Sequence, residues 1–332
     1  MSATIRDIKE QTGLSLATIS KYLNGGNVLP ENRQKIEKAI KDLHYEVNEL
    51  ARGLVTNKTR TVGILVYNIT SPFSGMLLHH VGEALRKEGY GMLIVDSCED
   101  EELEAKNLKY LINKKVDGII VLPVSSRGDF LSPAKSANVP IVLLDRSLSD
   151  AQYDCVRIDN RKAVCSALKE FISRNHKKIA VIASDTEYTG RERFYGFMDA
   201  MRDAGLDVPA NYQMRGTHSI ASGYSGMKKL LSLKDRPTAV FMSNYEITLG
   251  AMLALNESDY RSPDDISLLG FDDQLFFHVL QPQVYMVEQP LKAMSDKAVE
   301  LLLRRMGGDV DEDPMEIALG TKLQTGNSIK TL

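Results

Sequence analysis

"TVGILVYN", residues 61–68, decides the fold. A nearly unbroken aliphatic run that stops at Tyr67 and Asn68 reads as a strand buried on both faces. Beyond it, helical and strand patterns take turns. A helix is expected over about 72–88, then "GMLIVDS" (91–97), a helix over about 101–114, "DGIIVLP" (117–123), a helix over about 127–137, and "PIVLLDR" (140–146). Strand alternating with helix means a parallel sheet covered on both sides. The pattern restarts after Asp159 with a helix near 160–174, "KIAVIAS" (178–184) and a helix near 190–204. "TAVFMSN" (238–244), "GAMLALN" (250–256) and "ISLLGFDD" (266–273) continue it. Two α/β lobes are expected, each a doubly wound parallel sheet. The helix at 290–306 and "MEIALGTKL" (315–323) should return to the first lobe before the chain ends in the second.

The residues before Thr61 have a different texture. Thr4 with Asp7 opens a first helix in the manner of a capping box. "QTGL" (11–14) is a glycine turn, and Ser15 caps a second helix, "LATISKYLN", closed by Asn24-Gly25-Gly26. Pro30-Glu31 starts a third, with Ile36, Ile40 and Leu43 at helical spacing. Helix, glycine turn, helix is the signature of a helix-turn-helix. Residues near the start of the second helix would then reach base edges. Leu16 and Ala17 offer apolar surface to a thymine methyl, and Lys21 reaches guanine or a phosphate. Thr4, Ser15, Thr18 and Ser20 are candidate phosphate donors, with Asn24 at the helix end. Leu16 could instead serve the core, and Lys21 could simply be solvated.

Charge agrees with that division. Residues 1–60 hold ten Lys/Arg against seven Asp/Glu, and the remainder 31 against 37, so a +3 head sits on a −6 body. A basic head suits a polyanion. No secretory h-region and no 18-residue apolar run is visible, so neither export nor a membrane span is expected. Cys98, Cys155 and Cys165 form no CxxC pair, which fits reduced thiols in a cytoplasm and offers no zinc site. His79-His80 falls in a helix and reads as surface rather than metal site.

From Thr4 to Phe73 the sequence resembles the N-terminus of lac-repressor-family (LacI/GalR) transcription regulators, and "IVLLDR", "RERFYGF" and "ISLLGFDD" extend the likeness along nearly the whole chain. The resemblance implies a helix-turn-helix DNA-binding head and hinge helix on a body like the periplasmic binding proteins. It implies a homodimeric repressor of a pseudo-palindromic operator, without enzymatic activity or cofactor. The family usually has arginine where Lys21 stands. Lysine lacks the bidentate fork, so base discrimination there should differ. The segments expected are 1–46 (head), 47–60 (hinge), 61–158 with 289–318 (first lobe) and 159–288 with 319–332 (second lobe).

"ARGLVTN" (51–57) is a short, glycine-broken segment, marginal as a helix in water. By resemblance it folds on the operator, and Leu54 is the wedge between central base steps. Arg52, Asn57 and Lys58 would touch phosphates.

Ligands of open α/β sheets bind beyond the carboxyl ends of the strands. Those ends offer Asn68, Phe73 as a stacking face, Ser125, Ser126, Asp145 and Arg146. The second lobe adds Thr189, Arg193, His218, Tyr224, Asn244 and Asp272. Carboxylates, amides and arginine among aromatic rings suit a polyhydroxylated ligand. The resemblance singles out Arg193, Asn244 and Asp272 most clearly, then Phe73, Asp145 and Tyr224. A sugar or sugar derivative is the expected effector. Glu187 stands near where some purine-binding members carry arginine, which weakens a purine reading. A protein corepressor, as in the catabolite-control branch, is an alternative. An enzyme would need a GxGxxG, GxxxxGK[ST] or GxSxG motif that the chain lacks. A periplasmic sugar-binding protein would need no such head.

Overall fold

The structure, a computed structural model, describes residues 3–45, 58–150, 152–308 and 313–332. The expected hinge segment, with Arg52, Leu54 and Asn57, lies outside the described residues.

The head is three helices: α1 (Ile5–Thr12), α2 (Leu16–Leu23) and α3 (Pro30–Asp42). Ile8, Ile19 and Ile36, one from each helix, form its buried centre with Ala39. Gly13 ends α1 with φ 69°, a left-handed turn that lets α2 begin three residues later. Ser15 Oγ accepts the Thr18 N–H at 3.1 Å and caps α2. Pro30 opens α3 at a position where its missing N–H costs nothing.

The body continues through β1 (Thr61–Val66), α4 (Pro72–Lys87), β2 (Gly91–Asp96), α5 (Glu101–Asn113), β3 (Gly118–Val121), α6 (Ser132–Ser136), β4 (Ile141–Leu144) and β5 (Asp154–Ile158). Then come α7 (Asn160–Ser173), β6 (Ile179–Ser184), α8 (Tyr188–Asp203), β7 (Gln213–Gly216), α9 (Ile220–Ser232), β8 (Ala239–Met242), α10 (Tyr245–Asn256), β9 (Ser267–Phe271) and β10 (Tyr285–Glu288). The chain closes with α11 (Leu291–Met306), β11 (Glu316–Leu319) and β12 (Lys322–Gln324).

Two six-stranded sheets result, ordered β11-β5-β4-β3-β1-β2 and β12-β10-β9-β8-β6-β7. Among the described residues only β12 runs antiparallel, against β10. In each sheet the order turns back at the first strand, between β1 and β3 and between β6 and β8, which is the doubly wound arrangement. The central strands β3, β4, β6, β8 and β9 are buried along their length, as their unbroken aliphatic runs require. Helices α4 and α11 pack together on the first sheet, and α9 and α10 pack together on the second. A β-carbon on Gly250 would stand 1.9 Å from Ile220 O, and one on Gly223 2.1 Å from Ile247 O, so α9 and α10 meet backbone to backbone.

One expected element differs. The helix over 127–137 is a 3-10 turn (Asp129–Leu131) followed by the five-residue α6. Pro133 is tolerated in the first turn of a helix but not inside one, so the chain starts afresh there.

Among the described residues the chain passes between the lobes three times. It crosses at Asp159 between β5 and α7, at Gln289-Pro290 between β10 and α11, and at Gly320-Thr321 between β11 and β12. The last crossing falls after Leu319, because Leu319 still pairs with Ile158 in the first sheet. One buried apolar cluster includes residues of both lobes, among them Val142, Ile158, Phe197 and Val287.

Candidate functional site

The strand ends of both sheets meet in one pocket. Tyr67 after β1, Phe73 at the start of α4, and Asp145 and Arg146 after β4 line it from the first lobe. Thr189 and Arg193 of α8, His218, Tyr245 and Asp272 line it from the second, and Gln289 from the crossing. The cavity they leave is about 10 Å³, room for roughly one water molecule. A larger ligand requires the lobes to part or the side chains to turn.

At its centre is an ion pair. Arg193 Nη1 donates to Asp272 Oδ2 at 2.8 Å and Nη2 to Oδ1 at 3.2 Å, with both residues buried. Arg193 Nε donates to Asn160 Oδ1 and Nη1 also to Ser243 O, each at 2.8 Å. Gln289 Nε2 donates to Asp272 Oδ1 at 2.6 Å. The guanidinium lies over the Phe271 ring, 3.8 Å from its centre. Asn160 and Gln289 flank two of the interlobe crossings, so the pair is tied to both.

Asp145 and Arg146 face this pair. Their charged atoms approach to 3.5 Å, and the Arg146 guanidinium covers the Tyr67 ring at 4.3 Å. Burial raises the Asp145 carboxyl above its ordinary pKa, against the pull of Arg146 and Arg193. Burial also pushes the Tyr67 hydroxyl up to about 12. Beside the pocket, His218 Nδ1 stands 3.3 Å from Glu187 Oε1. Burial tends to raise the Glu187 carboxyl, but His218, Ser184 and Thr186 together hold it down to about 2. Several buried polar atoms have no hydrogen-bond partner, including Asp145 Oδ1, Asn160 Nδ2, Asn244 Nδ2 and Gln289 Oε1. Polar atoms so placed call for a ligand or ordered water.

Of the residues expected at a ligand site, Phe73, Asp145, Arg146, Thr189, Arg193, His218 and Asp272 lie on this wall. Five do not. Asn68 bonds Glu99 and Thr70, and Ser126 O accepts from Ser149. Tyr224 is turned outward by α9 and bonds Glu257 and Lys228. Ser125 sits aside, its N–H held at 3.1 Å by the buried Glu104. Asn244 is buried as the N-cap of α10, accepting the Ile247 N–H at 2.8 Å. Tyr67, Tyr245, Gln289 and Asn160 join the site without having been expected there. Tyr67 and Gln289 follow strands directly, so the strand-end rule applied at every strand would have found them.

On the head, Leu16, Ala17 and Lys21 are exposed. Ala17, Thr18 and Lys21 line one side of an open groove, with Asn27, Leu29 and Asn32 on the other. Lys21 folds its stem against Gly26, where an added β-carbon would meet Lys21 Cγ at 2.7 Å. Several expected phosphate donors already serve the fold. Thr4 Oγ1 donates to Asp7 Oδ2 at 2.8 Å, Ser15 caps α2, and Ser20 Oγ accepts from Asn24 Nδ2 at 3.3 Å. Lys58 is exposed at the start of the body. His79, His80 and Glu83 bring their ligand atoms within 4.8 Å on α4. Glu83 there feels the charges of Lys87 and Lys292, which compete with any cation.

Residues 59–307 match the family described as periplasmic binding proteins and sugar binding domain of LacI family. The HTH-type transcriptional repressor PurR of Mannheimia succiniciproducens is 30% identical over 95% of this chain and 96% of its own. Catabolite control protein A of Priestia megaterium is 30% identical over 92% of this chain and 93% of its own. Among solved structures, the transcriptional regulator CelR–cellobiose complex is 28% identical, covers 98% of this chain and 99% of its own, and superposes with a TM-score of 0.73.

Proposed function

Because the chain belongs to the LacI family, we propose that it is a homodimeric transcription repressor that binds a pseudo-palindromic operator through its head and answers to a small carbohydrate held between its lobes. The observation that carries the reading is the chain Asn160–Arg193–Asp272–Gln289. It faces the pocket and is anchored at two of the three places where, among the described residues, the lobes are joined. A ligand that rearranges that chain changes the lobe angle, and with it the spacing of the two linkers that lead to the heads.

Dimer formation is supported by the exposed 3-10 turn Leu275–Val279. Leu275 there is 84% exposed and Val279 77%, and with the exposed Phe276 between them they make an apolar patch of the kind that marks an interface. One head reads one half-site, so two-fold symmetry matches a palindrome. DNA contacts are assigned to Leu16, Ala17, Thr18 and Lys21, with Leu54 as the minor-groove wedge. Operation in the cytoplasm, where the DNA is, belongs to the same reading.

The test is an operator shift with purified protein, with and without ligand, after a thermal-shift screen for the ligand. A ligand present at 100 times its Kd should add about 2.7 kcal/mol of stability. Sequence-selective binding that a hit modulates supports the proposal; the absence of selective binding on any palindromic duplex sinks it. Leu54→Ala should weaken operator binding and leave ligand binding intact. The likeness to catabolite control protein A favours one second reading, a protein corepressor docked on the helices of the first lobe. A screen without hits, then capture of a partner that strengthens operator binding, would establish it.

A further inference from the structure

We infer that the cleft selects an uncharged polyhydroxylated ligand and rejects its phosphorylated or carboxylated counterpart, and that Glu187 is a positioning residue for that choice. The inference rests on the carbohydrate reading above and narrows it.

The cations of the pocket are already matched. Both terminal nitrogens of Arg193 are spent on Asp272, and its Nε on Asn160. Arg146 faces Asp145 at 3.5 Å, and His218 faces Glu187 at 3.3 Å. Two arginines and a histidine thus meet three carboxylates, so the wall carries no net positive charge. A phosphate or carboxylate entering this buried space would bring a charge to a wall whose cations already face carboxylates.

The unpartnered atoms on the wall point the same way. Asp145 Oδ1 and Gln289 Oε1 are acceptors. A hydroxyl can donate to both. A deprotonated phosphate oxygen can only accept, so it would meet Asp145 and Gln289 lone pair to lone pair.

Glu187 acts through His218. Its carboxylate is buried and bonded by Ser184 and Thr186 as well as by the imidazole. It holds the His218 ring in place through Nδ1 at 3.3 Å. A buried carboxylate fixed behind the ring is a poor neighbour for an anion and a tolerable one for a neutral hydroxyl.

The experiment is isothermal titration of the full chain with matched pairs: glucose and glucose 6-phosphate, ribose and ribose 5-phosphate, cellobiose and its 6-phosphate, glucose and gluconate. We expect at least one neutral member to bind, and its anionic partner to bind roughly 100-fold more weakly or not at all, as an unpaired buried charge demands. An anionic member that binds as tightly as its neutral partner overturns the inference and leaves the carbohydrate reading intact. No binding by any member overturns the carbohydrate reading and the inference with it. Glu187→Gln, folded as judged by circular dichroism, should narrow the neutral-to-anionic ratio. An unchanged ratio removes Glu187 from the account, and the wild-type ratio tests the selectivity without any variant.

Discussion

Asp145 and Asp272 occupy matching places in their lobes, each the first residue after an inner strand, with φ 73° and 66°. Aspartate and asparagine tolerate this left-handed backbone, whereas branched side chains do not. Asp272→Asn should therefore fold while losing ligand affinity, and Asp272→Val should lose a further 1–2 kcal/mol or so in thermal denaturation. Arg193→Ala leaves Asp272 buried without its cation and should cost about 3–5 kcal/mol, read as a lower denaturation midpoint. Glu187 has a pH signature. Its pKa is about 2 in the fold against 4.5 ordinarily. A depressed carboxyl pKa gives stability that is complete above the ordinary value and lost as pH falls toward the folded one. Wild type should therefore lose more stability between about pH 5 and pH 2 than Glu187→Gln does, measured by denaturant titration across that range. These residues are legible in the sequence to unequal degrees. Asp145 and Asp272 follow strands and are charged, so the strand-end rule reaches them. It fails for Tyr224, because the direction a helical side chain takes depends on how α9 is rotated against α10, and spacing in sequence does not give that rotation. Glu187 speaks in sequence only against purines, because its bond to His218 spans 31 residues.

At the level of elements, small local devices do disproportionate service. Ser15 caps α2, the helix proposed to read the operator, and Ser15→Ala should cost the head about 1 kcal/mol and weaken operator binding, measured by circular dichroism and gel shift on one preparation. Gly250 is a different case. Its close approach to Ile220 O leaves no room for a methyl group, so Gly250→Ala should force α9 and α10 apart and lower the denaturation midpoint by far more than helix propensity could restore. The inner strands β1, β3, β4, β6, β8 and β9 are plain in the sequence, since buried parallel strands are short aliphatic runs. β5, β7 and β10 ("DCVRI", "QMRG", "YMVE") are too short or too polar to announce themselves, and the 13-residue α9 does not stand out either. Between Arg127 and Ala137 the pattern favours a single helix, and Pro133 splits it. "GAMLALN" carries an apolar run as dense as a strand's, yet its glycine is there to let another helix come close.

For the whole molecule, the decisive arrangement is that two crossings abut the buried ion pair. Gln289→Ala should weaken ligand binding and, at saturating ligand, also reduce the factor by which ligand changes operator affinity, measured as the ratio of operator Kd with and without it. An unchanged factor would mean that the signal travels by the third crossing or through the shared core. Of the stretch 315–323 expected to return to the first lobe, Glu316–Leu319 pair there and Lys322–Gln324 already pair with β10 in the second; that Leu319 is the last residue of the visit depends on pairing with Ile158 and is visible only in the fold. The interleaving also sets an order of manufacture. The first lobe is translated first, yet it lacks the α11 covering of β3, β4 and β5, and its edge strand β11, until the last stretch of the message is read. The second lobe, begun later, then wants only β12 and the tail beyond it. On the ribosome the half that starts earlier must wait with an uncovered sheet face, and it is completed by a segment synthesised after its neighbour is nearly whole.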